Sequence, residues 1–440
     1  MVSVTVPVEV EDPSAAVFAS RRTDDRWFCW EQPDRDGFAL AALGSAHEVI
    51  SRGKDRFAEV IDECSRVTRD RIAEEPADLP AGAGAVWVGG FAFAPHGGRE
   101  PQWSSFPPAL MVMPELAMHR VKGRTHLTLN TRSGPGFDPA EASIRLRARL
   151  ASLREIPLPL PDPHPTHEVR IASTLPPGRF EGSVQRAVER IRSGELEKVV
   201  LAREVTVEAP RAHHPDPLYE ALREAFASCF CFCCGSPEAA FLGASPELLV
   251  RRSGAGAATV ALAGSTRRSA DPSVDDHLGE QLLRSEKDRI EHEIVVRRIQ
   301  RGLRRLSVWV EAEPEPELIK VANIQHLATP IHAQLSEPRS AVELAGRLHP
   351  TPAVGGEPHE QALEAIRELE GLDRGWYAAP TGWMDAAEDG EFCVAIRSAL
   401  LRDRNAHLFA GNGIVADSDP AAELAETEIK LGALLPLLAG

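Results

Sequence analysis

Apolar and polar positions are patterned differently on the two sides of one proline-rich stretch. Before it, "AVWVGGFAFAP" (85–95) is a β-branched and aromatic run that predicts a strand. Its Gly-Gly pair predicts a bulge or a close backbone approach. "PELAMHRVKGRTHLTLNTR" predicts a hairpin with Lys122 and Gly123 at the turn. "DPAEASIRLRARLASLRE" has the period of a helix and opens on Asp-Pro. The stretch itself, "IPLPLPDPHPTHEV" (156–169), has too many prolines for a helix or a central strand. It reads as a connector, 156–170, between an N-terminal part, 1–155, and a C-terminal part, 171–440.

The second part alternates long helical periods with short strands. "GRFEGSVQRAVERIRSGELE" predicts a helix, "KVVLAREVTVEA" a strand and "DPLYEALREAF" a helix. "CFCFCCG", "AAFLGAS" and "ELLVRRSG" predict three strands in succession. "SVDDHLGEQLLRSEKDRIEHEIVVRRIQRGLRRL" predicts one long helix. "TGWMDAAEDGEFCVAIRSALLRDRNAHLFAGNGIVA" predicts three strands, and "DPAAELAETEIKLGALLPLLA" a closing helix. Runs of antiparallel strands beside separate helices define an α+β fold, not a doubly wound parallel sheet.

The formal net charge of −16 changes the picture by exclusion. No basic stripe offsets it, so nucleic acid and anionic membranes are poor partners. An anionic ligand would need cations supplied locally by its site. The N-terminus lacks a basic region followed by an apolar one, and no apolar run reaches 18 residues. The cytoplasm is the expected location. Four of the seven cysteines (Cys229, Cys231, Cys233, Cys234) crowd one predicted strand, but no second Cys/His group completes a metal site. They read as small apolar residues, with Phe230 and Phe232 on the opposite face.

Six of the 49 basic side chains are lysines, so a lysine in an apolar strand stands out. Lys198 opens "KVVLAREV", where both faces are apolar. It either reaches solvent at the strand end or is partly buried. Burial without an adequate anionic partner lowers a lysine's pKa and makes it a usable base. Glu247 follows Ser-Pro in "FLGASPELLVR", on a rigid turn where a carboxylate is either solvated or placed for proton transfer. Glu291 borders the apolar stripe of its helix, and Glu423, Glu426 and Lys430 share one face of the last helix. Inward carboxylates need partners or a cation, and hard oxygen donors favour Mg²⁺. Arg397, within the apolar "FCVAIRSALL", calls for a buried acid or an anionic ligand.

Together "EKVVLAR", "FLGASPELLVR", "ALAGSTRR", "SEKDRIEHEIVV", "HLATP", "LHPTPAVGG", "GWYAAPTGWMD", "VAIRSALL", "LFAGNGIV" and "SDPAAELAETEIK" resemble the chorismate-utilising enzymes, and within them the isochorismate synthases. The resemblance is dense over 175–440 and thinner before it, through "WFCWEQPDRDGFALAALG" and "WVGGFAFAP". It implies two antiparallel sheets packed together, helices outside and a central cleft, so the connector would join two halves of one structure.

The resemblance also implies roles. Lys198 would be the base that activates water for attack on C2 of chorismate. Glu247 would be the acid that protonates the departing C4 hydroxyl. Glu291 and Glu426 would ligate Mg²⁺, with Glu423 acting through water. Arg397 would grip the enolpyruvyl carboxylate, helped by Tyr377 and the backbone near Gly411. Gly264, His326, Ala353 and Lys430 would line the substrate site. Asn412, where alanine is commoner, reads as a neutral turn substitution. A salicylate synthase, which goes on to eliminate pyruvate, shares the lysine, the glutamates and Mg²⁺; "LAGSTRR" and Ala353 favour isochorismate synthase. A non-catalytic chorismate- or metal-binding subunit would have lost one of Lys198, Glu247, Glu291 and Glu426. The family implies a monomer, and the product would serve siderophore or menaquinone synthesis.

Overall fold

The computed structural model describes residues 1–134, 136–162, 168–321 and 324–439. Residues 163–167 of the predicted connector lie outside it. Among the described residues, thirteen strands form one sheet and ten form a second. Pairing is antiparallel throughout, except where Val2–Val8 runs parallel to Ile72–Glu74.

Both sheets draw strands from either side of the connector. In the larger sheet Trp27–Gln32 pairs with Phe230–Gly235. In the smaller, Val86–Phe91 pairs with Pro380–Asp385. The sheets face each other, as the 6.0 Å stacking of Phe38 on Trp383 records. One apolar cluster, with Trp30, Leu40, Trp87 and Met111, fills the space between them. A second lies on the outer side of the larger sheet, under helices Pro13–Ser20 and Pro215–Ala225. No helix among the described residues is long and apolar enough to cross a membrane.

Local chemistry explains the elements. The hairpin turns at Lys122 and Gly123, with φ of +50° and +72°. The Gly-Gly pair is a close approach and not a bulge, because the register through it is regular. A Cβ on Gly89 would come within 2.0 Å of the Leu110 carbonyl oxygen, and its φ is +152°. The cysteines of Phe230–Gly235 alternate as a strand requires: Cys231 and Cys233 face the outer cluster, while Phe230 and Phe232 face the inner one. Burial pushes the Cys233 thiol up to about 12, which makes it a packing group and a poor nucleophile.

Two expectations are corrected. The single long helix is two, Pro272–Arg284 and Glu286–Arg304. Ser285 between them is extended (ψ 115°), and its side chain caps the second helix by accepting from the Asp288 backbone N–H. The three closing strands are four: Pro380–Asp385, Gly390–Val394, Ser398–Arg402 and Asn405–Ile414. The apolar run "FCVAIRSALL" breaks because its first half belongs to the smaller sheet and its second to the larger.

Candidate active site

Two chain crossings between the sheets lie side by side. The first leaves Ala240–Ser245 in the larger sheet and enters Leu248–Ser253 in the smaller, turning at Pro246 and Glu247. The second returns from Gly390–Val394 to Ser398–Arg402 through residues 395–397. They are tied to each other. Val394 N–H donates to the Glu247 carbonyl (3.0 Å), and Ala244 N–H to that of Arg397 (3.1 Å). The Ser245 hydroxyl donates to the Val394 carbonyl (2.6 Å). Arg397 thus sits in a crossing and not within a strand, in the left-handed region with φ +51°. The apolar pattern around it is real, but it spans two strands.

The crossings hold their side chains in a shared cavity. The Glu247 carboxyl is buried, with the Thr351 hydroxyl 3.5 Å away. Burial raises its pKa to about 8, against the opposing pull of Lys198. Arg397 donates through Nη2 to His326 Nε2 (3.3 Å), while its buried Nη1 has no protein partner. His326 Nδ1 is 3.4 Å from the Gly264 carbonyl oxygen. Burial, and then the adjacent Arg397, lower the imidazole pKa to about 3, so it is neutral and accepts at Nε2. Gly264 itself marks a register shift in Gly256–Arg267 and has φ +74°. Tyr377 stacks on Phe409 at 5.1 Å.

The opposite wall comes from two helices, Glu286–Arg304 and Pro420–Leu431. Lys198 opens the strand Lys198–Glu208 and is fully buried, so the solvated strand-end alternative does not hold. Its Nζ lies 2.8 Å from Glu291 Oε1. Only glycine at 413 leaves room for this pair. A Cβ there would stand 2.2 Å from Glu291 Oε1 and 2.7 Å from Lys198 Cε. Lys430 Nζ is 2.8 Å from Glu426 Oε1 and donates to the Gly411 carbonyl (3.0 Å). Burial works to raise the Glu426 pKa, but Lys430 and the Ser265 hydroxyl bring it down to about 2, so it is a carboxylate. Burial raises Glu423, which Lys287 Nζ meets at 3.4 Å. Three of the chain's six lysines therefore attend this one site.

The cavity encloses about 860 Å³, counting its open mouth. Glu247, Gly264, Glu291, His326, Ala353, Tyr377, Arg397, Gly411, Glu423, Glu426 and Lys430 all line it. Lys198 lies one layer beneath, reaching it through Glu291. The sequence reading missed Ser265, Lys287, Asp288 and Arg374, which also line it. Lys287 and Asp288 stood inside the quoted "SEKDRIEHEIVV" and face the cavity with Glu291, one helical turn on. Asn412 is not in a turn. It is buried on the strand Asn405–Ile414, donates to Glu423 Oε2 (3.0 Å) and accepts from Lys430 (2.8 Å).

A hard cation fits this donor set by chemistry. Glu291, Glu423, Glu426 and Asp288 offer oxygen only, and Asp288 is raised by burial and by the charges of Glu291 and Glu426, which a cation would relieve. Among the described residues, no three acidic, His or Cys side chains are already gathered as a coordination cluster. The glutamates are turned to lysines instead.

The fold and site define a class: a buried carboxyl of raised pKa, a buried lysine and an arginine with an unpartnered Nη1 around a cavity between two largely antiparallel sheets. The chain belongs to the family described as "Chorismate binding enzyme", which it matches over residues 1–439. It is 34% identical over 450 aligned residues to isochorismate synthase MenF of Bacillus subtilis, covering all of this chain and 94% of that one. It is 39% identical over 406 residues to the salicylate biosynthesis isochorismate synthase of Pseudomonas aeruginosa, covering 92% and 83%. The solved structure of MenF, the menaquinone-specific isochorismate synthase of Escherichia coli, superposes with a TM-score of 0.83 at 28% identity, over 99% of this chain and 94% of that one.

Proposed function

We propose that the protein is an isochorismate synthase that converts chorismate to isochorismate with Mg²⁺. One observation carries the reading. A buried lysine and a buried carboxyl of raised pKa serve one cavity, in a chain that aligns end to end with an isochorismate synthase. Water adds at C2 of the ring, the double bond shifts, and the C4 hydroxyl leaves as water. Lys198 takes the proton of the attacking water. Glu247 is protonated at neutral pH and gives its proton to the leaving hydroxyl. An arginine at 198 could not do this, because guanidinium holds its proton.

Arg397 provides the free Nη1 that a carboxylate of the substrate requires, and the neutral His326 leaves that charge undivided. In this reading it binds the enolpyruvyl carboxylate, with Tyr377 and the Gly411 backbone beside it. Gly264, His326, Ala353 and Lys430 shape the rest of the pocket. Glu291 and Glu426 would hold Mg²⁺, with Glu423 acting through water. The cation supplies charge neutralisation for the ring carboxylate.

Incubation of the purified protein with chorismate and Mg²⁺, followed by chromatography of the products, tests the proposal. Isochorismate as sole product supports it. Salicylate with pyruvate would reassign the chain to salicylate synthesis, and unchanged chorismate would leave a binding protein.

A further inference from the structure

The strand that opens with Lys198 has an interrupted outer edge. Gly356–Glu357 pairs with Lys198 and Val199, and Arg170–Ser173 pairs with Val205 through Glu208. No strand covers Val200 to Glu204 on that side among the described residues. Buried backbone groups there still require partners. Val200 N–H finds the Gly355 carbonyl at 2.7 Å. The next two groups are met by side chains. Arg374 Nη2 donates to the Val200 carbonyl (2.9 Å), and Ala202 N–H donates to Glu370 Oε1 (2.8 Å).

Glu370 caps the C-terminus of helix His359–Leu369, and Arg374 follows in the next turn. Their side chains are 1% and 3% exposed, and they form a two-point ion pair: Nε to Oε2 at 2.9 Å, and Nη2 to Oε1. Arg374 Nη1 also donates to the Val354 carbonyl (2.8 Å), and the guanidinium lies 4.1 Å from the centre of the Phe93 ring. The Tyr377 N–H donates to the Arg374 carbonyl (2.9 Å). Three pieces of the cavity therefore meet at one residue: the Lys198 strand and the loop carrying Ala353 and Val354 at the Arg374 guanidinium, and the turn carrying Tyr377 at its backbone carbonyl.

A buried ion pair is a poor choice for stability alone, since apolar residues of similar volume do as well or better. Its fork geometry is what apolar residues lack. We propose that Glu370 and Arg374 are positioning residues, a side-chain splice that fixes where the Lys198 strand stands against Ala353 and Tyr377. Neither needs to touch substrate for this. The consequence for the reaction rests on the reading of Lys198 as the base. The splice itself rests on the hydrogen bonds alone.

The test is the double variant Glu370→Gln/Arg374→Met. It leaves no unpaired buried charge, and glutamine still accepts from Ala202 N–H, so the fold is retained. Misplacing a catalytic group by about 1 Å costs on the order of 10²-fold. The expected result is a kcat roughly 10–100-fold lower per folded molecule, with KM within about threefold of the parent. Amide exchange across residues 199–204 should quicken at the same time. Arg374→Lys, which keeps the charge and loses the fork, should behave like the double variant. A kcat within twofold of the parent would overturn the proposal, as would a tenfold rise in KM at constant kcat, which would make Arg374 a substrate ligand. If the parent itself did not turn over chorismate, the functional reading would fail. The exchange measurement would then still decide the splice, and unchanged protection at 199–204 would refute it.

Discussion

On the strand side of the cavity, the polar groups are anchored largely through backbone. Glu247 and Arg397 ride on two crossings laced together by main-chain hydrogen bonds, His326 faces the Gly264 carbonyl, and Arg374 is fastened to Val200 and Val354. On the helix side, Glu291, Glu423 and Glu426 face the side-chain nitrogens of Lys198, Lys287 and Lys430. The first wall is preorganised: moving one group means breaking a sheet crossing. The second is exchangeable: an ammonium can yield its carboxylate to another cation without a change of backbone. On the proposed reading the chemistry would divide the same way, with proton donation and anion grip on the rigid wall and cation binding on the adaptable one.

The largest effect should come from removing the cation proposed for the helix wall. Chelation with EDTA is expected to take isochorismate formation to background, and Mg²⁺ to restore it. Full activity in metal-free buffer would refute the cation role of that wall. Glu291→Ala and Glu426→Ala should each abolish the Mg²⁺-dependent part of chorismate binding in calorimetry, while the strand wall keeps its structure.

On the rigid wall, Glu247→Gln keeps shape and hydrogen bonding and loses the acidic proton. Turnover should fall by about 10²–10⁴-fold with chorismate binding largely retained. Across the cavity, beneath the helix wall, Lys198→Arg should be nearly as poor, for the loss of a base. The pH dependence has a definite sign. Burial lifts the Glu247 pKa to about 8, so the protonated, donating form is present below that value and is lost as pH rises through it. The alkaline limb of kcat should therefore fall near pH 8. A flat profile to pH 9.5 would deny Glu247 the role of acid.

This division also explains what could be read from sequence. Lys198, Glu247, Glu291, Glu426 and Arg397 stand out as charges in apolar periods or on a Ser-Pro turn, but that pattern alone also fits solvated side chains, and it is the family resemblance that gathers them into one site. The hairpin at Lys122–Gly123 was legible because its turn chemistry is local. The split at Ser285 was also written locally, as Ser-x-x-Asp before a helical period, but continuous helical periodicity on both sides masked it. The crossing at Arg397 was not legible. "FCVAIRSALL" is equally apolar on both sides, and only the tertiary choice of sheet decides where one strand stops. Arg374 and Glu370 had no signal, because the gap they fill lies in the pairing of another strand. Asn412 was placed in a turn because Gly-Asn-Gly is turn-like composition; the pairing of Leu201 with it keeps the strand running.

The smallest effect is the sharpest on the exchangeable wall. Lys287 is 42% exposed at its side chain and reaches Glu423 at only 3.4 Å. Glu423 is 3% exposed, but the lysine end is open to solvent, and such a pair contributes roughly 0–1 kcal/mol. Lys287→Met should therefore leave the melting temperature almost unchanged. Its charge would nevertheless compete with the proposed divalent cation for the same carboxylates. Burial works to lower its pKa, and the pull of Glu423 and Glu291 overcomes this and raises it, so the ammonium is firmly protonated at neutral pH. Removing one positive charge from the wall should tighten Mg²⁺ binding by up to about fivefold, the equivalent of that same ~1 kcal/mol. Titration of Mg²⁺ by calorimetry, without chorismate, measures this directly. The turnover number at saturating Mg²⁺ should stay within about twofold, because no rigid-wall group has moved. Weaker Mg²⁺ binding in Lys287→Met would show instead that Lys287 orders Glu423 for the cation, and that this wall too is preorganised.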